Sequence, residues 1–181
     1  PEQLFPPISG TAWAYRMRAR LSVRYVASKG GALVGFREKH SSYVAVMDSC
    51  AVLPDHVSAL IPGLKTLVEG LSQPDRMPQI EVAVGGSRTV LLLRHLEPLT
   101  PDDLDRLRQF ADTHQIIWYL QSKGPETVIL FHPADTPLLS YELPDFGLKL
   151  LFHPSEFTQV NHGVNRMLVR RAMALLRPHA G

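Results

Sequence analysis

The chain has 181 residues, 45% of them hydrophobic, and a formal net charge of +2 at pH 7. That length suits one domain or one and a half, and the nearly balanced charge confines any nucleic-acid-binding surface to a local patch. A single cysteine excludes an internal disulfide and a cysteine-based zinc site made by this chain alone. No apolar run approaches the roughly 20 residues of a membrane span and no signal peptide is visible, so we expect a cytoplasmic protein without a membrane partner.

The first predicted element is a long half-buried strand between residues 13 and 25, where apolar and polar side chains alternate. Its polar face carries Arg16, Arg18 and Arg20. Alternate residues on a strand are about 6.6–6.8 Å apart, which roughly matches the phosphate spacing along a nucleic-acid strand. Two interpretations therefore stand, an RNA-backbone contact made by these arginines and an ordinary solvated strand face.

The next predicted elements are strands over 32–37 and 43–47, followed by a helical apolar stripe over 54–71. Pro62 and Gly63 lie inside that stripe, so we expect a kink or a fresh helix start there. The strand over 43–47 leads directly to Asp48-Ser49-Cys50.

A hairpin is predicted over 80–93, around Gly85 and Gly86. Thr100-Pro101-Asp102-Asp103 is a helix start, because it combines a capping hydroxyl, a proline in the first turn and acidic residues at the positive end of the helix dipole.

The second half of the chain predicts strands over 116–120 and 127–131, a hairpin over 138–152, and a closing helix that Asn161 caps and that runs to about Arg177. Hairpins with helices between them indicate an α+β fold. We expect an antiparallel or mixed sheet of hairpins with two packed helices and a C-terminal linking helix.

The stretch before the closing helix is unusually rich in aromatic and amide side chains for a loop. Phe157, Gln159, Asn161 and Asn165 stand at the helix entrance, where unpaired backbone N–H groups readily hold polar ligands. Phe157 is suited to stacking on an unpaired base, and equally to packing in the core. The Gln159 amide can form hydrogen bonds with a ligand, or with its own main chain.

Several of these segments together resemble the RNA (uracil-5-)-methyltransferase family. The resemblance is carried by Phe-Thr-Gln-Val-Asn-His-Gly-Val-Asn at 157–165 after Leu-Phe-His-Pro, and it extends from 15–21 through Gly35-Phe36-Arg37 and Asp48-Ser49-Cys50 to the last helix. The most similar branch methylates 23S ribosomal RNA and carries an iron–sulfur cluster. The branch that modifies tRNA lacks the cluster, and Cys50 argues against it.

The resemblance implies specific roles for residues that are otherwise ambiguous. Gln159 would contact S-adenosylmethionine and Phe157 would touch the RNA. Cys50, which alone would most often be a small buried residue, would be the fourth thiolate of a [4Fe–4S] cluster whose other three ligands lie outside this chain.

The resemblance also implies a division of the chain. Residues 1–150 would form a central RNA-contacting domain, and 151–181 a cofactor-contacting segment and helix leading into a SAM-dependent domain outside this sequence. The nucleophilic cysteine and the glutamate base of the family would lie in that domain, so no catalytic residue is assigned here. We therefore expect an excised part of an enzyme that forms 5-methyluridine in 23S rRNA, inactive by itself, with no DNA partner. The alternative from another class is a non-catalytic RNA-binding or adaptor module.

Overall fold

The structure, a computed structural model, describes residues 4–135 and 138–178. Six strands form one sheet: β1 (Arg18–Val26), β2 (Gly31–Gly35), β3 (Gln79–Gly85), β4 (Arg88–Arg94), β5 (Ile117–Gln121) and β6 (Ile129–His132). Their spatial order is β2-β1-β3-β4-β5-β6, and neighbouring strands are antiparallel except for the parallel pair β4–β5. The predicted α+β class with a mixed sheet of hairpins is confirmed.

Three helices cover one face of this sheet: α1 (Asp55–Ser58), α2 (Ile61–Glu69) and α3 (Pro101–His114). The main core lies between them and the strands, and Leu21, Leu91 and Trp118 are fully buried in it. The expected fresh start is confirmed, because α1 ends at Ser58 and a new helix begins at Ile61 with Pro62 in its first turn, where the missing N–H costs no helical hydrogen bond.

The opposite face of the sheet is only partly covered. A separate hairpin of β7 (Leu139–Leu143) and β8 (Leu148–Phe152) packs on it and makes a second apolar cluster with residues such as Val90 and Tyr119. The hairpin approaches β3 closely at Gly85, where an added Cβ would lie 2.9 Å from the carbonyl oxygen of Ser140. The rest of this face, which carries the polar side chains of β1 and β3 and the end of β4, is open.

Helix α4 (His162–Leu176) follows the hairpin and begins as predicted, since the Asn161 side chain accepts a hydrogen bond from the Val164 N–H at 2.9 Å. Arg166 holds it to the hairpin turn through two hydrogen bonds to Asp145, at 2.8 and 3.0 Å. Its apolar side chains remain largely uncovered by the residues described, with Leu175 55% exposed. None of the helices in 4–135 and 138–178 is long and apolar enough to cross a membrane.

Two predicted strands are wrong in extent. The first begins at Arg18 and not at residue 13, because the N–H groups of Ala14 and Arg16 donate to the carbonyls of Ala51 and Val52 instead of joining the sheet. Trp13 is accordingly 65% exposed. The strand predicted over 43–47 is reduced to one isolated bridge, which joins residues 37 and 44.

Candidate functional site

The loop between β8 and α4, residues 153–160, is fixed at two points to the start of the first strand. We call it the anchored loop. The Arg18 guanidinium donates to the carbonyl oxygens of Glu156 and Pro154, the latter at 2.8 Å. The Met17 N–H donates to the carbonyl of Val160, also at 2.8 Å. The two attachments hold the loop beside the open face of the sheet.

Side chains at residues 157–159 of the anchored loop point in turn to solvent, to the protein interior and to solvent. Thr158 is buried, whereas its neighbours Phe157 and Gln159 are exposed, Phe157 by 82%. Phe157 therefore does not pack in the core. The Gln159 amide forms no hydrogen bond with any residue that the structure describes, so both side chains are free to meet a ligand.

The structure brings Arg16, Arg18, Arg20 and Phe157 to one place. All four line an open depression of about 470 Å³, called the Phe157 cleft below. Arg20 is exposed and bonds Glu81 at 3.0–3.1 Å. The alternating sequence pattern predicts the same role for all three arginines. They do lie in one cleft, but they differ in what they contact.

Arg16 and Arg18 are held in different ways. The Arg16 guanidinium carbon lies 5.9 Å from the ring centre of Phe36, in a cation–π arrangement that leaves its donors available. Arg18 is half-buried under the anchored loop, and this burial lowers the pKa of its guanidinium, with the charge of Glu81 opposing the shift and that of Arg20 adding to it. Arg18 nevertheless stays protonated near pH 7, so its positive charge strengthens the hydrogen bonds that it donates.

A second depression of about 360 Å³ continues from the first across the sheet and is called the Arg94 cleft below. The two clefts share Arg18, Arg20, Glu81 and Ser155 as lining residues. The Arg94 cleft adds residues from three separate segments: Gln79, Leu92, Arg94, Gln121, Lys123, Gly124, Pro125 and Val128.

Sequence reasoning missed the polar members of the Arg94 cleft. In the sheet register Ser22 pairs with Gln79, Gln79 with Arg94, and Arg94 with Gln121, so one polar row crosses four strands. The row becomes visible only when the register and the parallel pairing of β4 with β5 are known. Among the lining residues of both clefts, Glu81 is the one carboxylate, which leaves the open face strongly basic.

Cys50 lies apart from both clefts. It is half-buried against the main core, and its backbone N–H donates to the Ser58 hydroxyl at 2.8 Å. Within residues 4–135 and 138–178 no group of three or more histidine, cysteine or acidic side chains could hold a metal ion. Since a [4Fe–4S] cluster takes four thiolates, the residues of this chain do not by themselves form a cluster site.

Comparison with known proteins gives a consistent set of relatives, although no family model matches the sequence. The chain is 60% identical over 177 residues to the 23S rRNA (uracil(1939)-C(5))-methyltransferase RlmD of Burkholderia ambifaria, covering 98% of this chain and 38% of that protein. It is 58% identical over 176 residues to the protein of the same name from Cupriavidus pinatubonensis, again covering 38% of that relative.

A solved structure shares the fold. The crystal structure of Pyrococcus abyssi tRNA (uracil-54, C5)-methyltransferase in complex with S-adenosyl-L-homocysteine matches with a TM-score of 0.64 and 21% identity. The match covers 91% of this chain and 42% of that one. The chain thus spans less than half the length of each of these three proteins.

Proposed function

We propose that this chain, which is homologous along nearly its whole length to one stretch of the 23S rRNA (uracil-C5)-methyltransferases, is the RNA-contacting part of such an enzyme. The observation that carries the proposal is the meeting of Phe157 with three arginines in one open, basic cleft. Because the chain spans 38% of the relatives' length, the activity is proposed for the full-length protein, in the cytoplasm where ribosomal RNA is found.

Each residue of the site receives a distinct task in this proposal. The exposed ring of Phe157 stacks on an unpaired base, as aromatic side chains of RNA-binding proteins commonly do. Arg16 and Arg20 contact backbone phosphates, and Arg18 contributes to the same basic cleft while it holds the anchored loop in place. Gln159 contacts S-adenosylmethionine, which supplies the methyl group when bound.

The chemistry of C5 methylation requires groups that this chain does not offer. A nucleophile must attack C6 of the uracil, and a base must remove the C5 proton. We assign both to the part of the full-length protein outside this sequence. In that division residues 1–150 bind RNA, 151–181 contact the methyl donor and lead into the catalytic domain, and the chain alone is inactive.

The experiment that tests this function is methyl transfer by the full-length protein. Labelled S-adenosylmethionine is supplied with unmodified 23S rRNA or, separately, with unmodified tRNA, and the digested product is assayed for 5-methyluridine. Label in the ribosomal RNA alone supports the proposal. Label in tRNA would transfer the protein to the tRNA branch, and RNA binding without any label would favour a non-catalytic module.

Substitutions in the anchored loop should separate its two ligands. We expect Gln159→Ala to raise the KM for S-adenosylmethionine about five- to tenfold, the effect of one lost hydrogen bond, with little change in RNA affinity. Phe157→Ala should weaken RNA binding about tenfold through lost stacking, with little change in the KM for the methyl donor. Gln109→Ala, an exposed glutamine on α3, is the matched control. Equal effects of both loop variants on both ligands would argue against separate contacts.

We further propose that Cys50 supplies one thiolate to a [4Fe–4S] cluster in the full-length protein. The backbone bonds of Ala14 and Arg16 to residues 51 and 52 bring the N-terminal part of the chain beside Cys50, where upstream ligands could approach. Cys50→Ala in the full-length protein should then reduce iron per polypeptide to less than half. Unchanged iron content, with only a small loss of stability, would make Cys50 an ordinary half-buried side chain.

A further inference from the structure

We propose that the bound RNA continues from Phe157 across the open face of the sheet, and that the Arg94 cleft holds one unpaired nucleotide of that strand. The proposal rests on the proposed function, since it assumes that the anchored loop meets RNA. It adds a second contact site, centred on Arg94, to the one that the sequence indicates.

The two clefts are continuous. Arg18, Arg20, Glu81 and Ser155 form a common wall, so a strand lying in the Phe157 cleft reaches the Arg94 cleft without leaving the surface. A duplex could not place a base in so small a depression, whereas an unpaired nucleotide can turn its base inward. The 360 Å³ of the Arg94 cleft lies within the range of about 300–1,000 Å³ seen for small-ligand pockets.

The Arg94 guanidinium is incompletely paired by the protein. Its Nε–H is shielded from solvent and has no hydrogen-bond partner in the described part of the chain. The neighbouring carboxylate, Glu81, already accepts from Arg20 and from Gln79, the latter at 2.8 Å. Because buried polar groups are normally paired in folded proteins, a half-buried arginine that lines a cleft and has no protein partner for this donor is available to a ligand acceptor.

The other residues that line the Arg94 cleft supply charged, amide and apolar groups. Planar guanidinium groups bind phosphate oxygens and base edges, and the amides of Gln79 and Gln121 can both donate to and accept from a base edge. Exposed Lys123 adds a positive charge at the rim. Exposed Pro125 and half-buried Val128 offer an apolar surface to a ring. These groups together suit a nucleotide and not an isolated anion.

The test is a thermodynamic cycle on the full-length protein, read out by fluorescence anisotropy. The probe is a fluorescein-labelled single-stranded RNA carrying the methylation site, together with oligonucleotides in which each flanking base in turn is removed to leave an abasic site. Arg94→Gln should weaken binding of the intact RNA about tenfold, as expected for lost hydrogen bonds to a charged group. Arg106→Gln, an exposed arginine of α3 on the opposite layer, should leave it unchanged.

The decisive result is that the effects of Arg94→Gln and of one abasic substitution on RNA binding are not additive. One abasic substitution should weaken binding to the wild-type protein but not weaken it further in Arg94→Gln, because both changes remove the same contact. If Arg94→Gln has no effect while Phe157→Ala still weakens binding, the inference fails and the proposed function stands. If neither variant affects binding, the proposed function fails as well. Additive effects at every position would reduce Arg94 to a backbone contact and overturn the nucleotide site.

Folding of the variant is checked by its thermal unfolding midpoint. Should Arg94→Gln prove unfolded, Gln121→Ala takes its place in the same cycle, because its side chain lines the same cleft. The expected loss is then about threefold, the effect of one neutral hydrogen bond, with non-additivity at the same abasic position.

Discussion

Replacing Asp103 with asparagine is expected to lower the free energy of unfolding by about 3 kcal/mol. The carboxylate is 1% exposed and accepts three hydrogen bonds, from the Ser72 N–H at 2.7 Å, the Ser72 hydroxyl at 2.6 Å and the Thr100 N–H at 2.9 Å. With the Thr100 hydroxyl, which accepts from the Asp103 N–H, it closes the capping box of α3. An asparagine would turn an NH₂ group toward these donors and leave at least one of them unpaired.

The same substitution should change how stability depends on pH. Burial raises the pKa of Asp103, but the hydrogen bonds from Ser72 and Thr100 outweigh it and hold the pKa below its usual value. A carboxyl whose pKa is lower in the folded state stabilises the fold above its unfolded pKa, and this contribution is lost as the pH falls through the folded pKa. The difference in free energy of unfolding between wild type and Asp103→Asn should therefore have its full value at pH 7 and shrink below about pH 4.

Urea denaturation of the chain at a series of pH values measures both effects. Asp102→Asn is the matched control, because Asp102 stands in the same helical turn but is exposed. It should cost no more than about 0.5 kcal/mol, the usual size of a surface change. Equal losses in the two variants would mean that the helix dipole, and not the buried hydrogen bonds, accounts for the effect.

Local signals in the sequence were sufficient to predict most elements of the fold. The capping hydroxyl of Thr100, the cap at Asn161 and the break before Pro62 act over one helical turn, and the structure confirms all three. Long-range pairing could not be predicted in the same way. Alternation extended the first strand to residue 13, but the N–H groups of Ala14 and Arg16 bond to a segment more than 30 residues away.

The candidate site likewise contains residues that could be predicted from the sequence and residues that only long-range pairing brings together. Phe157 and Gln159 were singled out by the composition of their loop and given roles by a family resemblance, and relatives at 58–60% identity confirm the resemblance. Arg94 ends a run of apolar residues, and no role was predicted for it. It becomes part of a polar row only through its pairing with Gln79 on one side and Gln121 on the other, which depends on the order of the strands.

Arg18→Gln is expected to weaken RNA binding about 30-fold, far more than Arg20→Gln, although both residues project from the same face of one strand. The Arg18 guanidinium bonds two carbonyls of the anchored loop, so its loss releases Phe157 from the cleft and forfeits the stacking energy. Arg20 is exposed and holds no part of the anchored loop, so Arg20→Gln removes only one solvent-screened phosphate contact and should reduce affinity only about threefold.

The salt dependence of binding distinguishes the two roles. A phosphate contact to single-stranded RNA contributes about 0.7 to the slope of log affinity against log salt concentration. Arg20→Gln should reduce the slope by that amount, whereas Arg18→Gln should leave it nearly unchanged because its donors face backbone carbonyls. Anisotropy titrations of the full-length protein over a range of KCl concentrations measure the slope, and hydrogen exchange should be faster at residues 153–160 in Arg18→Gln alone. If the slope fell equally in both variants and hydrogen exchange were unaltered, Arg18 would be a phosphate contact. It would then not be the residue that anchors the loop.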